Sequence, residues 1–249
     1  MTATALVLAL VAGAVVGLAL GGLGGGGSVL AVPALTYLLG PSPADAITAS
    51  LIIVSVTSVT ALAGHARDGN VAWRTGLLFA AAGIAPAVLT GAAADRLPQT
   101  ALTVAFALVA STAAVGMLRP ARAPAVGDAR PVKAGAAGAG LGAVTGLLGV
   151  GGGFLAVPAL VRVLNLPMRR ALGTSLLVIT VNSLAALTAR AGTAADLDWA
   201  VIAPFTAAAV LGAWDGKRHA QRLSGDTLRR IFAYVLLAVA ALMIVDAVV

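Results

Sequence analysis

The 249-residue sequence contains no cysteine and no glutamate, has two histidines, and is only 10% charged. Without cysteine there is no disulfide framework, no thiol nucleophile and no cysteine-ligated zinc or iron–sulfur centre. His65 and His219 each sit among charged loop residues, so no multi-histidine metal site is expected. No His-Glu-x-x-His, Gly-x-Ser-x-Gly or paired-carboxylate pattern occurs, and no enzymatic chemistry, metal or cofactor is read from the chain. The scarcity of charge also excludes a soluble monomer. An ordinary soluble domain is about 25% charged. This chain is 60% hydrophobic, with a mean hydropathy of +1.02. So much apolar surface belongs in lipid, where each span takes about 20 apolar residues.

What is present is a series of apolar stretches at about 3–21, 28–39, 46–64, 75–94, 100–118, 134–148, 154–164, 171–189, 199–215 and 228–248. Period-2 alternation is missing, so these read as helices. No basic segment precedes residues 3–20, which are taken as part of the mature protein rather than a signal peptide. The stretches 28–39, 134–148 and 154–164 are short for a hydrocarbon core of about 30 Å.

The chain is an internal duplication. Gly24–Leu39 (GGGGSVLAVPALTYLL) lies over Gly149–Leu164 (GVGGGFLAVPALVRVL) with ten of sixteen positions identical. The register continues from Ala46–Leu51 onto Ala171–Leu176. After a one-residue insertion it pairs Trp73 with Trp199, Phe106 with Phe232 and Met117 with Met243. Matching Gly, Pro, Ser and Trp in one register argues against a coincidence of alanine-rich composition. The seam, residues 119–133, is rich in proline and charge. It suits a linker between a first repeat at 1–118 and a second at 134–249.

The net charge of +7 could point to nucleic acid, but in a membrane protein basic residues first mark cytoplasmic loops. Placing 119–133 inside puts 14 of the 16 basic residues inside, with only Arg96 and Arg190 outside. No nucleic-acid partner is needed. Parity then makes the two halves inverted, with both termini extracytoplasmic. The expected fold is an all-α polytopic membrane protein of two inverted-topology repeats. Each is a glycine-bent, re-entrant hairpin plus three transmembrane helices. Full crossing by both hairpin arms gives the same parity, and the length of 3–21 leaves that arrangement open.

Each hairpin bends at glycines: Gly24, Gly25, Gly26 and Gly27 before Ser28, and Gly149, Gly151, Gly152 and Gly153 around Val150. Glycine allows close backbone approach. Each turn opens a helix whose first N–H groups have no intrahelical partner and whose dipole is positive. Together these features make an anion site, and inverted repeats bring two such ends together in transporters. A small oxyanion could be held there with no buried Arg or Lys. The candidate binding residues are Gly25, Gly26, Gly27, Ser28, Gly151, Gly152 and Gly153, with Ser50, Thr174, Ser175 and Asn182 on the following helices. For the hydroxyls, helix–helix bonding or back-bonding to a carbonyl competes with ligand binding. Pro33 and Pro158 each free the carbonyl four residues back and are the candidate helix-break or gating positions.

The six-residue spacing Gly22–Gly27 fits a dinucleotide fingerprint but lacks the preceding strand. Gly13, Gly17, Gly21 and Gly138, Gly142, Gly146 fit close helix packing instead. No charged residue lies near the centre of a span, so a carboxylate proton relay has no candidate.

The duplicated glycine turn followed by LAVPAL (Leu30–Leu35, Leu155–Leu160), with Ala46–Leu51 and Ala171–Leu176, resembles the TauE/SafE sulfite exporter family over nearly the whole chain. The resemblance implies a multi-pass inner-membrane permease for small sulfur-containing anions such as sulfite, thiosulfate or sulfonates. Tyr37 and Arg162, large side chains within or beside the short helices, depart from the pattern; they bear on substrate choice or reach the interface. An anion channel on the same scaffold, or a permease for another small organic anion, is the alternative.

Overall fold

In the computed structural model the described residues are 3–25, 31, 34–35, 43–94, 98–119, 131–147, 153–189 and 197–248. They form nine helices and no strand. These are α1 (Ala3–Leu23), α2 (Pro43–Arg67), α3 (Trp73–Ala94), α4 (Gln99–Leu118) and α5 (Pro131–Leu147), then α6 (Gly153–Arg162), α7 (Met168–Ala189), α8 (Trp199–Arg222) and α9 (Gly225–Val248). Ala31, Ala34 and Leu35 are helical as well. The chain is thus an all-helical, multi-pass membrane protein. Among the described residues seven helices are long and apolar enough to cross a bilayer: α1, α2, α3, α4, α7, α8 and α9. At 1.5 Å per residue the ten-residue α6 reaches only about 15 Å.

Several helices run past their apolar stretches. Helix α2 continues to Arg67 and α8 to Arg222, and α5 begins at Pro131, inside the stretch read as linker. The apolar run measures only the part of a helix that needs hydrocarbon. The backbone keeps its hydrogen-bond ladder beyond it. His65, expected in a charged loop, is therefore inside α2 and only 5% exposed. Helix α2 then stops at Gly69, whose positive φ (69°) favours glycine. The Gly69 and Asn70 N–H groups turn back to the carbonyls of Ala66 and His65.

The packing is carried by glycine. A Cβ on Gly13, Gly17 or Gly21 of α1 would collide with the backbone of Phe205, Ala209 or Ala213 of α8. One on Gly138, Gly142 or Gly146 of α5 would collide with Phe79, Gly83 or Ala87 of α3. Both series advance four residues on each helix, so α1 runs parallel to α8, and α5 parallel to α3. In the duplicated register each contact is the counterpart of the other. The remaining pairings behave alike: α2 meets α8 as α7 meets α3, while α2 with α7 and α4 with α9 pair counterpart to counterpart. Helices of the first half thus pack on helices of the second, and the core is shared.

Apolar side chains cover the outside. Leu6, Val7, Leu10, Val11, Val15 and Leu18 form an exposed face on α1. Trp73 and Trp199, counterparts at the starts of α3 and α8, are both about half exposed (50% and 52%), as aromatic residues at a membrane interface are.

Candidate functional site

Helix α1 ends in a turn at Gly24, with φ of 65°. A side chain at Gly24 would meet the Ser175 hydroxyl and, at 3.2 Å, the Leu172 carbonyl of α7. At Gly25 it would land on the Gly153 carbonyl and lie 2.9 Å from the Phe154 Cα. The start of the first glycine turn therefore touches the opening residue of α6, across the two halves. Only hydrogen atoms fit between these backbones. Gly153 is buried, and the first-turn N–H groups of α6 lack intrahelical partners. Phe154 fixes that helix end by packing on Phe106 of α4, ring centroids 5.0 Å apart. Gly26, Gly27, Ser28, Gly151, Gly152 and Pro33 lie outside the described residues. Pro158 is buried inside α6, and the helix continues through it.

The hydroxyls divide into different roles. Ser50 donates to the Ile47 carbonyl (2.8 Å) and its counterpart Ser175 to the Leu172 carbonyl (2.8 Å). Both hydrogens are thus turned back into their own helices, and each oxygen presents lone pairs. Of the two, Ser175 lies against the turn at Gly24. Thr174 accepts from the Ala72 N–H (3.0 Å), tying α7 to the start of α3. Asn182 lies seven residues beyond Ser175, about 10 Å along α7. Its Oδ1 is buried without a partner among the described residues, as are the hydroxyls of Ser55 and of Thr57, the counterpart of Asn182. Beside them Thr180 meets Ser58 at 3.0 Å. The predicted residues that are described thus occupy two levels, the glycine contact of Gly25 with Gly153 and a polar seam between α2 and α7. Buried polar atoms in such a seam need water or a ligand as partners.

A third cluster escaped sequence reading. Lys217 of α8 donates to Asp68 (2.7 Å) and to the Gly64 carbonyl (2.6 Å), and Gln221 donates to Asp68 (2.7 Å). Arg67, Arg218 and Trp214 join them in lining a cavity of about 420 Å³. His65 lies behind it, with Nε2 3.3 Å from the Gly21 carbonyl. The helical spacing Ser58 to His65 was the available signal, since it places the histidine on the face of the polar seam.

The Lys217 ammonium holds the Asp68 carboxyl below the usual carboxylate range, against a smaller upward push from burial. A depressed carboxyl contributes stability above its unfolded pKa of about 3.9 and loses it as pH falls through the folded value. Asp68 is 32% exposed, so the contribution is at most about 1 kcal/mol. Thermal melting in detergent is expected to show no contribution change between pH 7 and pH 5. The pair's share should fade below about pH 4, and Asp68→Asn should abolish that acid-limb loss.

A family model described as "Sulfite exporter TauE/SafE" matches residues 9–243. Two relatives from Xylella fastidiosa, of strains Temecula1 and 9a5c, are each named "Probable membrane transporter protein". Each is 35% identical to the chain, over 96% of the chain and 95% of the relative. No solved structure matches.

Proposed function

Because the chain belongs to the TauE/SafE sulfite exporter family, and is thus a membrane transporter, we propose that it is a secondary permease for a small sulfur-containing anion such as sulfite, thiosulfate or a sulfonate. It works by alternating access, rocking two inverted halves around the paired glycine turns. The observation that carries this reading is the backbone contact of Gly25 with Gly153 and Phe154. There the C-terminal end of α1 meets the N-terminal end of α6, from the opposite half, with no side chain between them. The N-terminus of α6 favours negative charge by its dipole and its free N–H groups. A site of this kind needs no buried cation, which lipid would penalise.

The inverted arrangement is supported by the parallel packing. Helices α1 and α8 begin on the same side of the membrane as each other, and so do α5 and α3. Charge parity assigns α1 and α8 to the outside and α3 and α5 to the inside, where most basic residues gather. Both termini are then extracytoplasmic and the linker is cytoplasmic, as in an inner-membrane permease. A periplasm-active reporter fused after Val249 is expected to be active, and a cytoplasm-only reporter silent. The reverse result would overturn the inverted orientation.

The function itself is tested by reconstitution. Purified protein in liposomes is expected to take up ³⁵S-labelled sulfite, thiosulfate or methanesulfonate with saturation and counterflow. Flux without saturation, with single-channel currents, would replace the carrier by a pore. No flux of any of the three anions would overturn the substrate class.

A further inference from the structure

The seam hydroxyls and the turns contain no group that titrates near neutral pH. His65 brings an ionisable imidazole close to them, and its surroundings give it a task. It lies two residues, about half a turn, from the end of α2 at Arg67, yet it is only 5% exposed. Its Nε2 is 3.3 Å from the Gly21 carbonyl. A carbonyl only accepts, so Nε2 carries the hydrogen and Nδ1 is left with a lone pair. That Nδ1 is buried with no hydrogen-bond partner among the described residues. Gly21 precedes the turn at Gly24 by three residues, about 5 Å of helix. An unmet proton acceptor is therefore anchored directly to the helix that ends in the glycine turn.

We infer that His65 is the proton-binding site that couples anion movement through the glycine turns to a proton moving in the same direction. The inference rests on the permease reading above. Of the elements packed on His65, α1 presents the Gly21 carbonyl and α7 presents Gly173, neither charged. Helix α8 presents Lys217, and the loop after α2 presents Asp68. Those two charges are paired with each other at 2.7 Å, so the imidazole is the ionisable side chain of this cluster whose ring nitrogen is left without a partner among the described residues. A proton on Nδ1 offsets one negative charge of an anion at the turns, and forms a neutral unit with a monoanion such as a sulfonate. Moving such a unit through a low-dielectric interior is far less costly than moving either ion alone. Each therefore raises the affinity for the other. The cavity bounded by Gly64, Asp68 and Lys217 is the route for the proton to reach this level. The Lys217–Asp68 pair, a latch between α8 and the end of α2, is also asymmetric. Lys217 lies over Gly91 in the duplicated register, so the first half has no counterpart of it.

The experiment is gradient-driven uptake into proteoliposomes, with ³⁵S-labelled sulfite, thiosulfate and methanesulfonate as probes. For one proton per anion, a gradient of one pH unit, alkaline inside, is expected to raise accumulation about tenfold. His65→Gln keeps a donor for the Gly21 carbonyl but cannot hold the proton. It should reduce the gradient response to none and slow counterflow exchange at symmetric pH, since the anion then moves without its proton. A wild type indifferent to the gradient, or a His65→Gln variant that still follows it, would overturn the inference. Absence of counterflow for every probe would instead overturn the permease reading. A second readout stands free of substrate. The chain has no cysteine, so an Ala63→Cys variant at the cavity wall gives a single thiol. Its maleimide labelling, with the thiolate fraction corrected by a small-molecule thiol, is expected to change with pH between about 5 and 8 and to become flat in the His65→Gln background. A pH-independent profile with His65 present would also overturn the inference.

Discussion

Gly25→Ala is expected to remove at least about nine-tenths of transport while leaving folded protein in the membrane. The added methyl would land on the Gly153 carbonyl and within 2.9 Å of the Phe154 Cα. Neither obstacle is the far end of a flexible side chain. The turn or the start of α6 must shift, at an overpacking cost of about 1–3 kcal/mol, which a multi-helix protein can absorb. Function is less tolerant. Hydrogen bonds from N–H groups to an anion hold at donor–acceptor distances of about 2.7–3.2 Å, and moving one turn away breaks them. One hydrogen bond to a charged group is worth about 1.5–3 kcal/mol, which is about a 10- to 150-fold loss of binding. The measurement is the initial uptake rate in proteoliposomes, normalised to monodisperse protein on fluorescence-detected size exclusion. Gly140→Ala, where an added Cβ has nothing within 4 Å, is the control and should transport normally. Full activity in a folded Gly25→Ala protein would show that the turns are not the binding site.

The contrast between Gly25 and Gly140 also shows how much the sequence reveals. Both are glycines in apolar surroundings, and composition alone does not separate them. Duplication does, because Gly25 belongs to a turn that recurs ahead of LAVPAL, whereas Gly140 has no such context. The helices were legible for the same reason: lipid leaves few alternatives to a helix, and hydropathy marks the part that is immersed. What hydropathy hides is the part that is not immersed. Helix α2 carries His65 and Arg67 and α8 carries Lys217 and Gln221 beyond their apolar runs, and there the latch forms. No local pattern joins Asp68 to Lys217, since they are 149 positions apart and meet only through the packing of α2 on α8. Serine was ambiguous for a different reason. A hydroxyl in a helix has a carbonyl always within reach, and Ser50 and Ser175 use it. Only coordinates reveal that Ser175 nevertheless lies against the turn.

Gly17→Val and Gly142→Val are expected to be equally and severely destabilising, although they are 125 positions apart. At Gly17 a Cβ would overlap the Ala209 carbonyl of α8, and at Gly142 the Gly83 carbonyl of α3. Between lipid-embedded helices no hydrophobic gain compensates for separation. Their association depends on close van der Waals contact, which small residues permit. A valine at either site pries two helices apart along their length. It also loses the neighbouring contacts at Gly13 and Gly21, or at Gly138 and Gly146. Overpacking of a buried side chain is worth about 1–3 kcal/mol, and collision with a fixed backbone lies at or beyond the top of that range. Each contact joins a helix of the first half to one of the second, so each substitution should lower the single melting transition of the whole protein rather than of one half. Thermal melts in detergent are expected to shift downward together for the two variants, agreeing within about 0.5 kcal/mol of each other, with most of the folded yield lost. Gly140→Val, on the exposed face of α5, should melt with the wild type. A tolerated Gly17→Val would contradict the α1–α8 packing. If Gly142→Val alone were destabilising, the two contacts would not be equivalents of one another. The proposed two-fold relation between the halves would then lose its support.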